Sequence, residues 1–199
     1  MQGLYAKMSP IEDRILSLKT RNFETVPFIP SRELDELLTE AVVRDIILES
    51  GIEVQKCEET TRIVVAGAKK ILAILALDRR QQELRKFIEN DQFQVERLDA
   101  KLPFSEPLLH KLLGEATGSL FWERQWMFVA PFFRYNLSHR ILEDAAILPF
   151  TKSLFIGEGS FGKVSKVSLH PQHQGIRVLR EGGPVNVPFD QQDTLANYI

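Results

Sequence analysis

The chain has 199 residues, of which 44% are hydrophobic and 26% charged, with a formal net charge of −2. That length can build one or two domains with a true core. The near-neutral balance excludes a role that rests on bulk attraction to nucleic acid or to an anionic membrane.

The N-terminus carries no signal-peptide pattern. Ser9 is a good N-cap, Pro10 suits the first helical position and Glu12 completes a capping box. A short helix is therefore predicted, with Ile11, Ile15 and Leu18 on one face. Pro27 and Pro30 around Phe28-Ile29 predict an extended connector. A second helix is predicted from Arg32 to Glu49, capped by Ser31 and stopped near Gly51. Its apolar stripe is Leu34, Leu37, Leu38, Ala41, Val42 and Ile46. A partner's groove could use such a stripe, but internal core is the commoner use. The single cysteine, Cys57, has no partner for an internal disulfide, which suits a reducing compartment. As a lone cysteine it is far more often structural or surface-exposed than a reactive thiol.

A third, longer helix is predicted from Thr61 to Asn90. Its first half, from Ile63 to Leu75, is apolar on most sides and so belongs at the centre of the fold. Its second half is charged, with Leu84, Phe87 and Ile88 turned inward. The most apolar stretch, Ile63 to Leu77, is interrupted by Lys69-Lys70 and is too short to span a bilayer. With no leader and no span, an intracellular, cytoplasmic location without membrane contact is expected, and the glycosylation-like triplet Asn136-Leu137-Ser138 carries no weight. Asp91 to Phe104 reads as a connector. Ser105, Glu106 and Pro107 then start a short helix, Leu108 to Leu113, which Gly114 ends. An aromatic-rich segment follows, Phe121 to Val129 and then Pro131 to Tyr135. Aromatics with arginine can stack bases, yet no basic stripe accompanies them, so packing onto the rest of the protein is expected.

The stretch that carries chemistry is Ile156-Gly157-Glu158-Gly159-Ser160-Phe161-Gly162-Lys163-Val164. Its spacing is G-x-G-x-x-G-x-V. Glycines at this spacing let a polyphosphate approach the main chain. In a dinucleotide-binding domain such a loop runs from a strand into a helix; in a protein kinase it joins two antiparallel strands over the ATP phosphates. Leu154-Phe155-Ile156 enters as a strand. Lys163 to Leu169 leaves as another, with Val164 on one face and Val167 and Leu169 on the other. No acidic residue is convincingly placed about 20 positions on to bind a ribose. A helix directly after Gly162 would favour the dinucleotide reading, a hairpin would remove it, and a ligand-free glycine hairpin is the bland alternative.

Residues 154–169 resemble the first two strands and glycine-rich loop of a protein kinase. Phe28-Ile29-Pro30, Leu37-Leu38-Thr39, Leu102-Pro103-Phe104, Gln125-Trp126, Ile147-Leu148-Pro149-Phe150 and His170-Pro171-Gln172-His173-Gln174 extend the likeness. Together they are similar to a group of filamentous-fungal protein kinases that carry a helical region ahead of the catalytic domain. The resemblance covers roughly residues 20–174. It implies a Ser/Thr-type kinase relative that binds ATP with Mg2+. By it, Ile156 and Val164 would bracket adenine, Gly157, Gly159 and Gly162 would shape the loop, and Ser160 and Phe161 would form its tip.

A kinase also needs a lysine on the next strand, a catalytic aspartate and metal-holding Asn and Asp. No lysine follows Lys166, and His-Arg-Asp and Asp-Phe-Gly motifs are absent. His139-Arg140 continues with Ile141 and precedes the loop, Lys69-Lys70 lies on a helix ahead of it, and Asp190 and Asp193 lie in a Gln-rich tail. The chain thus reads as truncated after the glycine loop, and no catalytic residue is assigned. His170 and His173 lack a third ligand, with Pro171 between them, so a surface loop rather than a metal pair is expected.

The expected class is α+β: a mainly helical N-terminal domain, then a short β-hairpin resembling the start of a kinase N-lobe. Boundaries fall at 1–30 (helix and connector), 31–135 (helical domain), 136–174 (kinase-like start) and 175–199 (irregular tail). Two functions stay open. One is an ATP-binding, kinase-related protein without phosphotransfer of its own. The other is a non-catalytic interaction protein, its helical domain binding a protein partner, with a vestigial loop.

Overall fold

The computed structural model describes residues 10–93, 95–134, 141–159, 162–175, 179–180, 183–184 and 197–198. The N-cap predicted at Ser9, Tyr135, the Asn136-Leu137-Ser138 triplet, His139-Arg140, the loop tip Ser160-Phe161, and Asp190 and Asp193 lie outside them.

Helix α1 is Ile11–Ser17. Ile15 is buried, and Ile11 and Leu18 pack against the same core, as their spacing predicts. The Glu12 carboxylate accepts from Arg79 Nε at 2.7 Å. Strands β1 (Thr20–Arg21) and β2 (Pro27–Phe28) then pair antiparallel. Asn22 makes their turn: its Oδ1 accepts from the Glu24 and Val26 N–H groups at 3.0 and 2.8 Å. This is the local bonding that suits Asn to turns.

The predicted second helix is two helices, α2 (Ser31–Leu37) and α3 (Glu40–Glu49). Leu38 leaves helical geometry, and Thr39 becomes a new N-cap whose hydroxyl accepts from the Val42 N–H at 3.4 Å. The break rotates the buried face: Val43 and Ile47 enter the core beside Ile46, while Ala41 is exposed. Gly51, at φ +78°, ends the segment in the left-handed region that favours glycine.

The predicted third helix is likewise divided. Helix α4 (Val54–Gly67) starts earlier than its periodicity indicated, and Cys57 on it is buried. Helix α5 (Lys69–Ala76) follows after Ala68, a 3₁₀ turn covers Gln81–Glu83, and α6 is Leu84–Ile88. In α5 every residue from Ile71 to Ala76 is buried, so the central placement predicted for Ile63 to Leu75 holds there, whereas Val65 and Ala66 on α4 are exposed. The start of α5 is supplied from afar: the Asp99 carboxylate accepts from the Lys70 N–H at 2.9 Å and the Ile71 N–H at 3.1 Å. A helix's first N–H groups have no internal partner, and this carboxylate is what permits α4 and α5 to separate.

The connector 91–104 contains a 3₁₀ segment, Val95–Lys101, bent at Arg97. Helix α7 (Glu106–Leu113) runs from Ser105 to Gly114, as predicted. Helix α8 (Glu115–Gln125) folds back on α7, and a 3₁₀ turn, Trp126–Phe128, follows. A Cβ on Gly118 would lie 2.8 Å from backbone atoms of Leu109 and His110, so only glycine allows this approach. Phe87, Phe93, Phe104 and Phe121 form one aromatic cluster. Buried Gln125 fixes it, donating from Nε2 to the Phe104 carbonyl at 2.9 Å and accepting the Phe104 N–H at 2.8 Å.

Strand β3 is Phe133–Arg134. Strands β4 (Phe150–Gly159) and β5 (Gly162–Leu169) form the long antiparallel hairpin, followed by a 3₁₀ turn, Pro171–His173. Strand β6 (Gln174–Gly175) runs parallel to β3. Within the expected irregular tail, β7 (Leu179–Arg180) pairs with β8 (Gly183–Pro184), and β9 (Asn197–Tyr198) pairs with β5. The class is mixed α+β. Among the described residues no helix is long and apolar enough to cross a membrane.

Asp99→Ala leaves two N–H groups of α5 without their acceptor and should lower the unfolding free energy in urea by about 1–3 kcal/mol. Asp99→Asn still offers one carbonyl oxygen and should lose less. Equal losses would contradict the capping role.

Candidate functional site

The glycine-rich segment is the tip of the β4–β5 hairpin. The register runs from Phe150↔Leu169 at the base to Gly159↔Gly162 at the tip. A strand, not a helix, follows Gly162, which removes the dinucleotide-binding arrangement. Phe150, Ser153 and Phe155 share a face with Leu169, Val167 and Ser165; Lys152, Leu154 and Gly157 share the other with Ser168, Lys166 and Val164. Val164 and Val167 therefore lie on opposite faces, as expected. A register shift between Phe155 and Gly157 leaves Ile156 as the extra residue of a bulge.

The glycines differ in what the backbone asks of them. Gly162 has φ +140°, which favours glycine. Gly157 and Gly159 have no such φ, and a Cβ on either would meet nothing within 4 Å. Neither strain nor crowding explains them. Val164 is half-buried opposite Gly157, and Ile156 is half-exposed beside it, so the two residues expected to bracket adenine lie close in the pairing. Glu158 stands across from Lys163.

The base of the hairpin is tied to the helical body at many points. Phe23 N–H donates to the Phe150 carbonyl at 2.7 Å, and Asn22 Nδ2 to the Leu148 carbonyl at 3.2 Å. His170 N–H donates to the Pro149 carbonyl at 2.8 Å. The rings of Phe133 and Phe150 lie 5.7 Å apart. The fully buried Phe28 ring meets His170 and His173 edge to face, at centroid distances of 5.4 and 5.2 Å. Gln172 Nε2 reaches Glu33 Oε1 on α2 at 3.1 Å.

His170 and His173 therefore do not form the surface loop that their sequence context predicts. His173 is only 3% exposed. Its Nδ1 lies 3.2 Å from the Pro131 carbonyl. A carbonyl only accepts, so Nδ1 carries a proton in this contact. Nε2 is buried without a hydrogen-bond partner. Burial pushes both imidazoles below the usual histidine value, against Glu33 for His170 and against the Pro131 carbonyl for His173. Among the described residues no group of three or more His, Cys, Asp and Glu could hold a metal ion.

Two other clusters were not visible in the sequence. At the junction of α4 and α5, burial depresses the Lys70 ammonium, against the pull of Asp99 and Asp35. Burial also pushes the Asp99 carboxyl up to about 6, against the two N–H bonds from Lys70 and Ile71. The Asp99 carboxylate serves the α5 N-terminus, and Lys69 and Lys70 lie on a helix, as expected. Between α7 and α8, Ser119 Oγ lies 2.8 Å from His110 Nε2, and Glu106 Oε1 lies 3.5 Å from both atoms. A nucleophilic triad needs its carboxylate on the other ring nitrogen. The cluster is a helix-to-helix hydrogen-bond bridge.

No family model matches the chain, and no curated protein or solved structure matches it significantly.

The histidine anchor carries a pH signature. Above pH 6.5 His173 is neutral in both folded and unfolded chains and adds no slope. Below it the unfolded chain takes up a proton first, so stability falls with pH until the depressed folded value is reached. As pH falls below 6.5, unfolding free energy should therefore drop more steeply for wild type than for His173→Gln. Parallel slopes would contradict a buried neutral His173.

Proposed function

We propose that this is a protein-kinase-related protein whose glycine hairpin holds the phosphates of ATP, and that the chain by itself does not transfer phosphate. The observation that carries the reading is the pair Gly157 and Gly159. Glycine inside a strand costs stability, and here neither φ nor neighbouring atoms require it. A ligand that must approach the main chain supplies the missing reason. The hairpin form and the closeness of Ile156 to Val164 agree with an adenine site of the kinase type.

The described residues fit the phosphate half of such a ligand better than its metal half. Open space beside Gly159 and Gly162 and the exposed Lys163 suit phosphate oxygens. No acidic cluster among the described residues offers a magnesium site. Lys69 and Lys70 are committed to the helical body. With no general base and no metal ligands assigned, the chain's own residues bind and orient a nucleotide and go no further. The rival reading, a protein-interaction module with a vestigial loop, draws on Leu154, Phe155 and Ile156, large apolar residues held out in solvent.

A thermal-shift titration with Mg-ATP separates the two readings. Because Gly159 has open space where a side chain would go, Gly159→Val should fold normally while covering the main chain. Wild type should show a saturable rise in Tm that the variant lacks. No shift in wild type would remove the nucleotide reading and leave the helical body and the apolar hairpin as the functional parts.

A further inference from the structure

A recess of about 170 Å³ lies where α2, the α4–α5 junction and the 3₁₀ segment Val95–Lys101 meet. Of the residues that line it, Leu34 is buried, while Asp35 and Ala66 are exposed. A cavity of about 150 Å³ holds benzene, so a ligand of about six non-hydrogen atoms is the size that fits.

Two lysines line the recess, and they differ. Lys69 is paired: its Nζ lies 3.3 Å from Asp35 Oδ1 and 3.3 Å from the Asp35 carbonyl oxygen. Lys70 is half-buried, and among the described residues its ammonium makes no hydrogen bond and no ion pair. Burial without a partner disfavours the cation. It holds the Lys70 amine below the ordinary lysine value, against Asp99 and Asp35. His173 faces the same charge. A lysine kept neutral is a nucleophile toward carbonyl carbon. Asp99 lines the recess beside it, its carboxyl lifted by burial to about 6. A group near neutrality both gives and takes a proton. The Asp99 oxygens accept the Lys70 and Ile71 N–H groups, which holds the carboxyl in place and leaves each oxygen a second lone pair.

We propose that this recess is a covalent binding site for a small, uncharged aldehyde, captured by Lys70 as an imine with Asp99 as the proton carrier. The Lys70 nitrogen bonds to the carbonyl carbon as the C=O π electrons move to oxygen, which takes a proton. The carbinolamine then loses that hydroxyl as water while the nitrogen lone pair closes the C=N bond. Both protons that leave the nitrogen end in the water, relayed by Asp99, so no oxidant or reductant is needed. Asp99 and Asp35 repel an anion, and Lys69 is already spent on Asp35, so the ligand carries no charge. The proposal goes beyond the nucleotide reading and does not rest on it.

Propanal with cyanoborohydride at pH 7 tests it on the whole chain, with alkylated lysines located by peptide mass mapping. Lys70 should carry the propyl group well before Lys69, its neighbour on the same helix. Asp99→Asn should slow alkylation of Lys70 by about a hundredfold. The same variant should acetylate Lys70 at least as fast as wild type with N-acetoxysuccinimide, an activated ester that needs no acid. Ala66→Phe adds bulk to the recess from an exposed position. It should remove the lead of Lys70 and leave Lys69 unchanged, with circular dichroism confirming the fold. Equal rates at Lys69 and Lys70 in wild type would overturn the proposal, since both would then be ordinary lysines. A lead that survives Ala66→Phe would overturn the recess as the binding site. Equal slowing of both reagents by Asp99→Asn would overturn Asp99 as proton carrier and leave it a structural cap. Protection of Lys70 by inorganic phosphate would overturn the aldehyde and make the recess an anion site.

Discussion

Helix α5 is apolar on every side, and a helix of that kind must be surrounded. Six consecutive residues, Ile71 to Ala76, are buried. Each large one contributes about 1.5–3 kcal/mol only if other elements close over it. Helices α1, α2, α4, α6 and α8 and the 3₁₀ segments Gln81–Glu83 and Val95–Lys101 all touch α5. The same burial deprives its first turn of water, so those N–H groups need an acceptor from within the protein. Asp99 supplies it, at the cost of a buried carboxylate whose own ionisation is made harder. The position of Asp99 against α5 follows from that need.

On this body the β4–β5 hairpin is fixed at one end and open at the other. Phe28 stands between the two histidines, and edge-to-face ring contacts of this sort add about 0.5–1.5 kcal/mol each beyond the area they bury. The hydrogen bonds from Phe23, Asn22 and His170 hold the strand entrance. Farther out on β4 the large apolar residues from 154 to 156 remain in solvent. Base and tip thus divide the work. The base positions the arm, and the outer part of the hairpin is left with exposed apolar surface, where the proposed nucleotide would bind.

Local chemistry was legible in the sequence, and distant chemistry was not. Helix α7 was readable because Ser105, Glu106, Pro107 and Gly114 act within a few residues of each other. The hairpin was readable from glycine spacing and β-branched content. The split at Leu38 was missed because an unbroken apolar stripe outweighed Thr39, whose capping hydroxyl matters only once the chain has turned. The split at Ala68 was missed because its cause, Asp99, lies far along the chain. His173 was misplaced for the same reason: Pro171 and the polar neighbours describe a loop, while Phe28 and Pro131, which bury the ring, are remote. Several short segments noted for their resemblance, among them Phe28-Ile29-Pro30, Ile147 to Phe150 and His170 to Gln174, meet where the hairpin joins the body. A structural reason for their residue types therefore exists beside any question of ancestry.

The central claim is that a helical body built around α5 carries a glycine hairpin anchored at its base and free at its tip. Amide hydrogen exchange read residue by residue tests it most directly. The account predicts that amides of Ile74 and Leu75 exchange only on global unfolding. Val167 and Leu169 should be protected within an order of magnitude of them, and Glu158 and Gly159 should exchange fast. Fast exchange along the whole of 150–169 beside a protected α5 would contradict it, because the hairpin would then be a loose appendage and not a positioned arm.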